Sequence, residues 1–396
     1  MAQAYDAVIA TITVASDASQ VVKTMVKSTT WREGTSGSWL TTDCTLNAST
    51  TYQFRTPLSG MSSDYTAILP NIKASVTVAW DTTATPISTL GNYFMRSYAQ
   101  GCSSLTSLSV PDTSGITSVG TYFMRSYAQG CSSLTSLSVP DTSGLTRVGN
   151  YFMYYYAYGC SKLTSLSVPD TSRLTSVGNY FMYYYADGCS SLTSLSVPDT
   201  SGITSVGDSF MRSYADGCSS LTSLSVPDTS GITSVGDYFM SYYAYGCSKL
   251  TSLSVPDTSR LTSVGNYFMR SYAQGCSSLT SLSVPDTSRL TSVGNYFMYY
   301  YAYGCTSLTS LILPDSTGWF GSYNVDWSVP SGRLGYLYGY TPNSTSQTAW
   351  RALTVSGKTL YTNYIRAEDH VLLSEQPPAT TPVIGAKYPL PPFRRS

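Results

Sequence analysis

Eight cysteines, Cys102, Cys131, Cys160, Cys189, Cys218, Cys247, Cys276 and Cys305, follow one another at an unbroken interval of 29 residues. A fixed period of this size marks a chain that winds in stacked coils, each with an apolar face that only its neighbours can hide. The period predicts a solenoid, and the rest of the fold follows from reading one coil.

In the unit from Leu105 to Ser133, the phrase LTSLSVP sets Leu105, Leu108 and Val110 in an L-x-x-L-x-L pattern that Pro111 ends. It reads as a short parallel strand. DTSGITSVG places turn formers ahead of Ile116 and Val119, and predicts a corner with a second short extended segment. TYFMRSYAQGCSSL spaces Met124, Ala128, Cys131 and Leu134 by four, three and three, which predicts two or three turns of helix on the remaining wall. Stacking such units puts like on like, so the apolar residues form internal ladders.

These residues, in the order F-M…GCSSLTSL…DTSGITSVG, resemble the BspA-like leucine-rich repeats of bacterial surface proteins over about residues 88 to 318. The resemblance implies a right-handed leucine-rich-repeat solenoid, with a strand and a short helix in each 29-residue unit, used for adhesion or partner binding. The sequence departs from the family pattern by about four residues per unit, RSYA and its equivalents, which lengthen the side expected to be helical.

The ends differ from the repeats. Residues 1–86 carry the strand-like runs AVIATITVAS, TTYQFRTP and TAILPNIKASVTVAW, and predict a small all-β domain that caps the first unit. The solenoid should occupy 87–318, and an aromatic-rich cap 319–373, with a helix near Thr345 to Leu353 and a strand in KTLYTNYIR. The tail, 374–396, has six prolines in EQPPATTPVIGAKYPLPPFRRS and should be extended, docked on the solenoid or on a neighbouring subunit.

Composition narrows the function. Charged residues make up 11% of the chain, against about 25% in an average protein, while Tyr occurs 35 times. Lys plus Arg equals Asp plus Glu at 22 each, so no net field draws the chain to nucleic acid or an anionic membrane. No run approaches the ~20 apolar residues of a membrane span, and the first residues lack the pattern of a secretory signal. A virion part released by lysis, or a surface protein trimmed of its signal, fits these observations.

Candidate chemistry is sparse. One His, His370, and three Glu, Glu33, Glu368 and Glu375, accompany no phosphate loop, nucleophile elbow or metal-ligand spacing, so no enzyme and no cofactor is expected. The cysteines form no CxxC pair, and on adjacent helices they would lie roughly 8–10 Å apart, too far for disulfides. They are expected as free, buried thiols. The recurrent Asp112, Asp141, Asp170, Asp199, Asp228, Asp257, Asp286 and Asp315 could line up for calcium, but each precedes turn residues and reads better as a corner cap. Thr106, Ser107 and Ser109 offer hydroxyls for a sugar or ice, or are the ordinary outward residues of a strand.

Variation between copies concentrates in one phrase. Position 96 and its equivalents read Arg96, Arg125, Tyr154, Tyr183, Arg212, Ser241, Arg270 and Tyr299, and position 100 reads Gln100, Gln129, Tyr158, Asp187, Asp216, Tyr245, Gln274 and Tyr303. Four apart on a helix, these would share an outward stripe, joined by Tyr155, Tyr184, Tyr242 and Tyr300. The alphabet of Tyr, Arg, Ser, Asp and Gln is that of binding surfaces, and 25 of the 35 Tyr fall in these phrases. The stripe is the expected site for a protein or glycan on a host or neighbouring surface, or for self-association, on the exterior of a virion or of a bacterial cell. A virion fibre or capsid decoration is the leading expectation, a BspA-like adhesin the second, and a glycan- or ice-binding module the third.

Overall fold

The computed structural model describes residues 7–14, 20–22, 30–41, 44–57, 74–80, 88–286, 289–308 and 310–312, with three further strands at 336–338, 362–365 and 372–374. The remainder of the expected aromatic cap, its helix, and most of the proline-rich tail lie outside the described residues.

Alternation of apolar and polar residues makes the N-terminal strands. In β1 (Ala7–Val14), Val8, Ala10, Ile12 and Val14 are buried, the period of two that a strand facing a core requires. β2 (Gln20–Val22), β3 (Thr30–Glu33), β4 (Cys44–Leu46), β5 (Thr51–Pro57) and β6 (Ala74–Trp80) follow. β1 lies between β5 and β6, β3 lies outside β5, and all these pairings are antiparallel. β2 and β4 form a separate antiparallel pair. The outer edge of β6 pairs in parallel with Ser107 and Leu108. The first coil therefore extends the N-terminal sheet, and one hydrophobic cluster runs from Val8 to Leu308.

Most coils add two strands of two residues, and Ser234 contributes an isolated bridge to Ser205 in place of the second strand of its coil. Ser107–Leu108 pairs with Ser136–Leu137 one coil on, with Leu buried and Ser turned outward. Thr89–Leu90 pairs with Ser118–Val119 in the same parallel sense, and the ladder recurs at 29-residue register through Ser292–Val293. The sheet of the first wall continues past Ser310–Ile312 into Tyr336–Tyr338. The molecule is a leucine-rich-repeat-like β-solenoid of about seven turns.

The third wall is not helical, which corrects the strand-plus-helix expectation. In the phrase after Thr121, the amides of Arg125, Gln129 and Cys131 donate to the carbonyls of Tyr122, Ser126 and Ala128, three residues back. Between them, the amides of Tyr122, Ser126, Ala128 and Gly130 donate to Asn150, Tyr154, Tyr156 and Tyr158 of the next coil at 2.7–3.0 Å. Tyr122, Met124 and Ser126 have φ of 63°, 50° and 57°. An i+3 to i bond with positive φ at the third residue belongs to a type II turn, so the wall is a run of tight turns. The reason is the rise of the coil. Strand pairing on two walls fixes neighbouring coils at roughly 4.8 Å, whereas packed helices need roughly 8–10 Å between axes. Turns can share the strands' spacing and bond to the next coil; helices cannot.

This wall has a conformational cost. Each of the eight copies holds three non-glycine residues at positive φ, among them Tyr151, Met153 and Tyr155 in the third, a region that costs roughly 1–2 kcal/mol per residue. Ordered stacking of every copy on the next offsets it. The buried Phe column, from Phe94 to Phe297, stacks at 5.4–5.7 Å between ring centres. The Tyr98 column stacks at 5.4–5.6 Å.

The corners are locked by side chains. Asp112 Oδ1 accepts the Ser114 amide at 3.0 Å, and Thr113 Oγ1 donates to the Asp141 carbonyl of the next coil at 2.6 Å. The Ser114 amide also holds the Asp112 carboxyl below its ordinary value. That bond is the capping role read from the sequence. A second ladder was not anticipated: Asn92 Oδ1 accepts the Thr121 amide, Asn150 the Asn179 amide and Asp208 the Asp237 amide, at 2.8–2.9 Å.

The cysteines are free and buried. The separation argued for helices does not apply, because adjacent cysteines sit one strand spacing apart. Each thiol points the same way as the last, with Cys131 Sγ donating to the Ala99 carbonyl at 3.0 Å and Cys160 Sγ to the Ala128 carbonyl at 3.2 Å. Burial pushes the Cys160 thiol up to about 12, so it is protonated at neutral pH.

Candidate functional site

The variable residues lie on the outer surface of the turn wall, arranged by coil stacking rather than by a helical stripe. Positions 96, 97 and 100 form three columns, and ring contacts join them within a coil. Tyr154 meets Tyr155 at 4.2 Å and Tyr155 meets Tyr158 at 5.0 Å, both edge to face. Tyr299, Tyr300 and Tyr303 repeat the arrangement, with centres 4.0 and 5.2 Å apart. Tyr242 and Tyr245 lie 5.8 Å apart.

Stacking between coils makes the columns continuous in places. Tyr155 lies parallel to Tyr184 at 4.7 Å, and Tyr183 against Tyr184 at 3.9 Å. Tyr183 is the least exposed tyrosine of the predicted stripe, at 7%. Tyr245 and Tyr303 are open to solvent, at 36% and 46%.

A column outside the predicted stripe completes the wall. Tyr93, Tyr122, Tyr151 and Tyr180 stack at 4.6–4.9 Å. Ser209 interrupts them, and Tyr238, Tyr267 and Tyr296 resume at 4.4 and 4.9 Å. The near constancy of Tyr at this position hid it among the structural ladders. Across it lie the guanidinium groups. Arg96 sits 5.6 Å from the Tyr93 ring and 5.4 Å from Tyr122. Arg125 sits 5.0 Å from Tyr154, Arg212 4.2 Å from Tyr238, and Arg270 5.5 Å from Tyr242 and Tyr267. These distances are those of cation–π contact.

Not every tyrosine of the phrase belongs to the surface. Tyr98, Tyr127, Tyr156, Tyr185, Tyr214, Tyr243, Tyr272 and Tyr301 are buried, which corrects the expectation that the Tyr-rich phrases are exposed throughout. The Tyr214 hydroxyl crosses the core to donate to the Ser196 carbonyl at 2.7 Å, and Tyr301 does the same to Ser283 at 2.8 Å. The signal was present in the sequence, since this position is Tyr in all eight copies.

The third column ranges from amide to acid. Gln100 Nε2 donates to Gln129 Oε1 at 3.2 Å. Asp187 and Asp216, one coil apart and half-buried, are pushed up to about 8 and about 7, in both cases first by burial. Asp216 adds like charge to Asp187, while the Ser213 hydroxyl pulls Asp216 back. Burial thus favours the protonated form of both carboxyls near neutral pH. Among the described residues no group of three or more His, Cys, Asp or Glu could hold a metal ion. Nor is any helix long and apolar enough to cross a membrane.

What the wall can do chemically is limited and definite. Most ring faces are covered by other rings, so it presents ring edges, phenol hydroxyls, guanidinium groups and amides. That mixture of Tyr and Arg is the one enriched where protein surfaces bind tightly. The profile of the BspA type leucine rich repeat region matches residues 92–326, in six copies. No curated protein matches the chain.

Proposed function

The chain belongs to the BspA-type leucine-rich-repeat family, and on that premise we propose that it is a non-enzymatic adhesion or protein-binding protein whose contacts are made by the turn wall. BspA-type repeats are typically surface-associated. The observation that carries the reading is the wall of side chains described above, in which Arg125, Arg212 and Arg270 pack over tyrosine rings. Ordering these side chains before binding removes much of the entropy that an interface otherwise costs.

The family favours a cell-surface setting over the virion fibre suggested by composition.

Replacing the exposed Tyr245 and Tyr303, together with Tyr158, by Ser tests the assignment. The triple variant should keep its circular dichroism spectrum and lose binding to the cells or surfaces that the parent protein coats. Undiminished binding by a folded triple variant would place the contact on another wall.

A further inference from the structure

The two flanking columns of the wall are matched to each other in a way the single chain does not use. All four coils with Arg in the first column have an acceptor side chain in the third: Arg96 with Gln100, Arg125 with Gln129, Arg212 with Asp216, and Arg270 with Gln274. All three tyrosines of the third column, Tyr158, Tyr245 and Tyr303, occur in coils without Arg. Such matching is expected of residues that hydrogen-bond to one another.

Within the chain Arg125, Arg212 and Arg270 do not reach these acceptors. Among the described residues, Arg125, Arg212 and Arg270 touch rings, and none hydrogen-bonds the residue four positions on. Their Nε atoms are sealed without an acceptor, which leaves the Nη groups for one outside. Asp216 takes a hydrogen bond from Ser213, and Arg212 is not among the groups that shift it.

We propose that the acceptors are supplied by a second copy of this chain, packed wall to wall about a two-fold axis parallel to the solenoid axis. This rests on the reading of the wall as a protein-binding surface and names its partner. The axis sets each coil opposite the same coil of the second copy and exchanges left for right, so the first column of one faces the third column of the other. Arg212 then meets Asp216 of the second copy, Arg125 meets Gln129, and Arg270 meets Gln274. In the third and eighth coils Tyr154 meets Tyr158 and Tyr299 meets Tyr303. Each contact occurs twice, as an isologous interface requires.

The two-fold relation gives both copies the same gradual coil-to-coil rotation, so the register persists as long as the walls turn together. Successive rings of the buried tyrosine column differ in orientation by only 6–12°. Coils of both copies share one rise, so a match at one coil is a match at the next. The sites of Tyr183 and Ser241, buried at 7% and 0%, are covered by their own neighbours and contribute little.

Sedimentation and charge exchange test the pairing. The full chain should sediment at twice 42.8 kDa. Arg212→Asp should weaken association by about tenfold or more, since it sets carboxylates against each other, and so should Asp216→Arg. The double variant R212D/D216R should restore it. As a check independent of those variants' folding, R125C and Q129C proteins oxidised as a mixture should give disulfide-linked dimers that neither gives alone. A monomer at high micromolar concentration, or a dimer indifferent to all of these changes, overturns the proposal. A monomer whose tyrosine variants still lose adhesion would overturn the pairing alone and leave the wall's binding role intact. A dimer that obeys the charge exchange while the tyrosine variants adhere normally would remove adhesion and keep the pairing.

Discussion

At the scale of single residues, invariance and variation have opposite meanings at alternate positions of one phrase. Tyr214 is buried and bonded across the core, while its neighbours Arg212 and Asp216 are half-buried on the wall. Asp187 and Asp216 carry a testable consequence. Their carboxyls hold protons up to about 8 and about 7 when folded, against an ordinary value of 3.8. Between these limits the folded chain binds more protons than the unfolded one, so stability falls as pH rises. It is greatest below pH ~4 as far as this pair is concerned, and the full penalty is reached above pH ~8. The variant D187N, which leaves Asp216 and its proposed partner untouched, should therefore melt a few degrees higher than the parent at pH 8.5, and the difference should shrink toward pH 4.5. Equal melting temperatures at pH 8.5 would contradict the burial argument.

At the scale of the element, the turn wall is held by bonds that no isolated segment could form. Its amides reach forward to the next coil, as from Ser126 to Tyr154 at 2.7 Å, and its residues sit where L side chains are strained. Ser126 has φ of 57° and is 4% exposed. Glycine occupies that region freely, whereas a β-branched residue is strongly disfavoured there. Ser126→Gly should consequently be neutral or stabilising by up to ~1 kcal/mol despite glycine's greater unfolded-state entropy. Ser126→Val should cost about 2 kcal/mol or more through strain and crowding. Urea denaturation of the pair measures both; a Val variant as stable as the Gly variant would exclude the left-handed backbone.

At the scale of the molecule, stability is a sum over neighbouring coils, seeded by an N-terminal sheet that hands its edge, Ser75 and Val76, to the first coil. Every ladder repeats at 29 residues, whether Leu195 on Leu224 or Gly130 on Gly159. Deleting residues 179–207, one whole coil, should leave a folded, cooperative protein that is only modestly less stable. Removing 28 or 30 residues from the same place should misalign the Cys, Phe and Leu columns and abolish cooperative unfolding by calorimetry. If the three deletions behave alike, stacking in register does not hold the solenoid together.

The sequence by itself determined the period, the inward Leu, Met, Phe and Cys columns, the capped Asp corner and the position of the variable surface, because each depends only on repeating a residue at the same place in every coil. It misread the wall between Asn92 and Cys102, where spacings of three and four imitate a helix. It also left unseen the buried tyrosine column, whose identity with its exposed neighbours conceals it in composition. Those were decided by the tertiary structure, for one physical reason: two walls of paired strands impose a rise that helices cannot follow. The third wall therefore gives up local helical bonds, accepts left-handed residues, and obtains its hydrogen bonds and ring contacts from the coil above and the coil below.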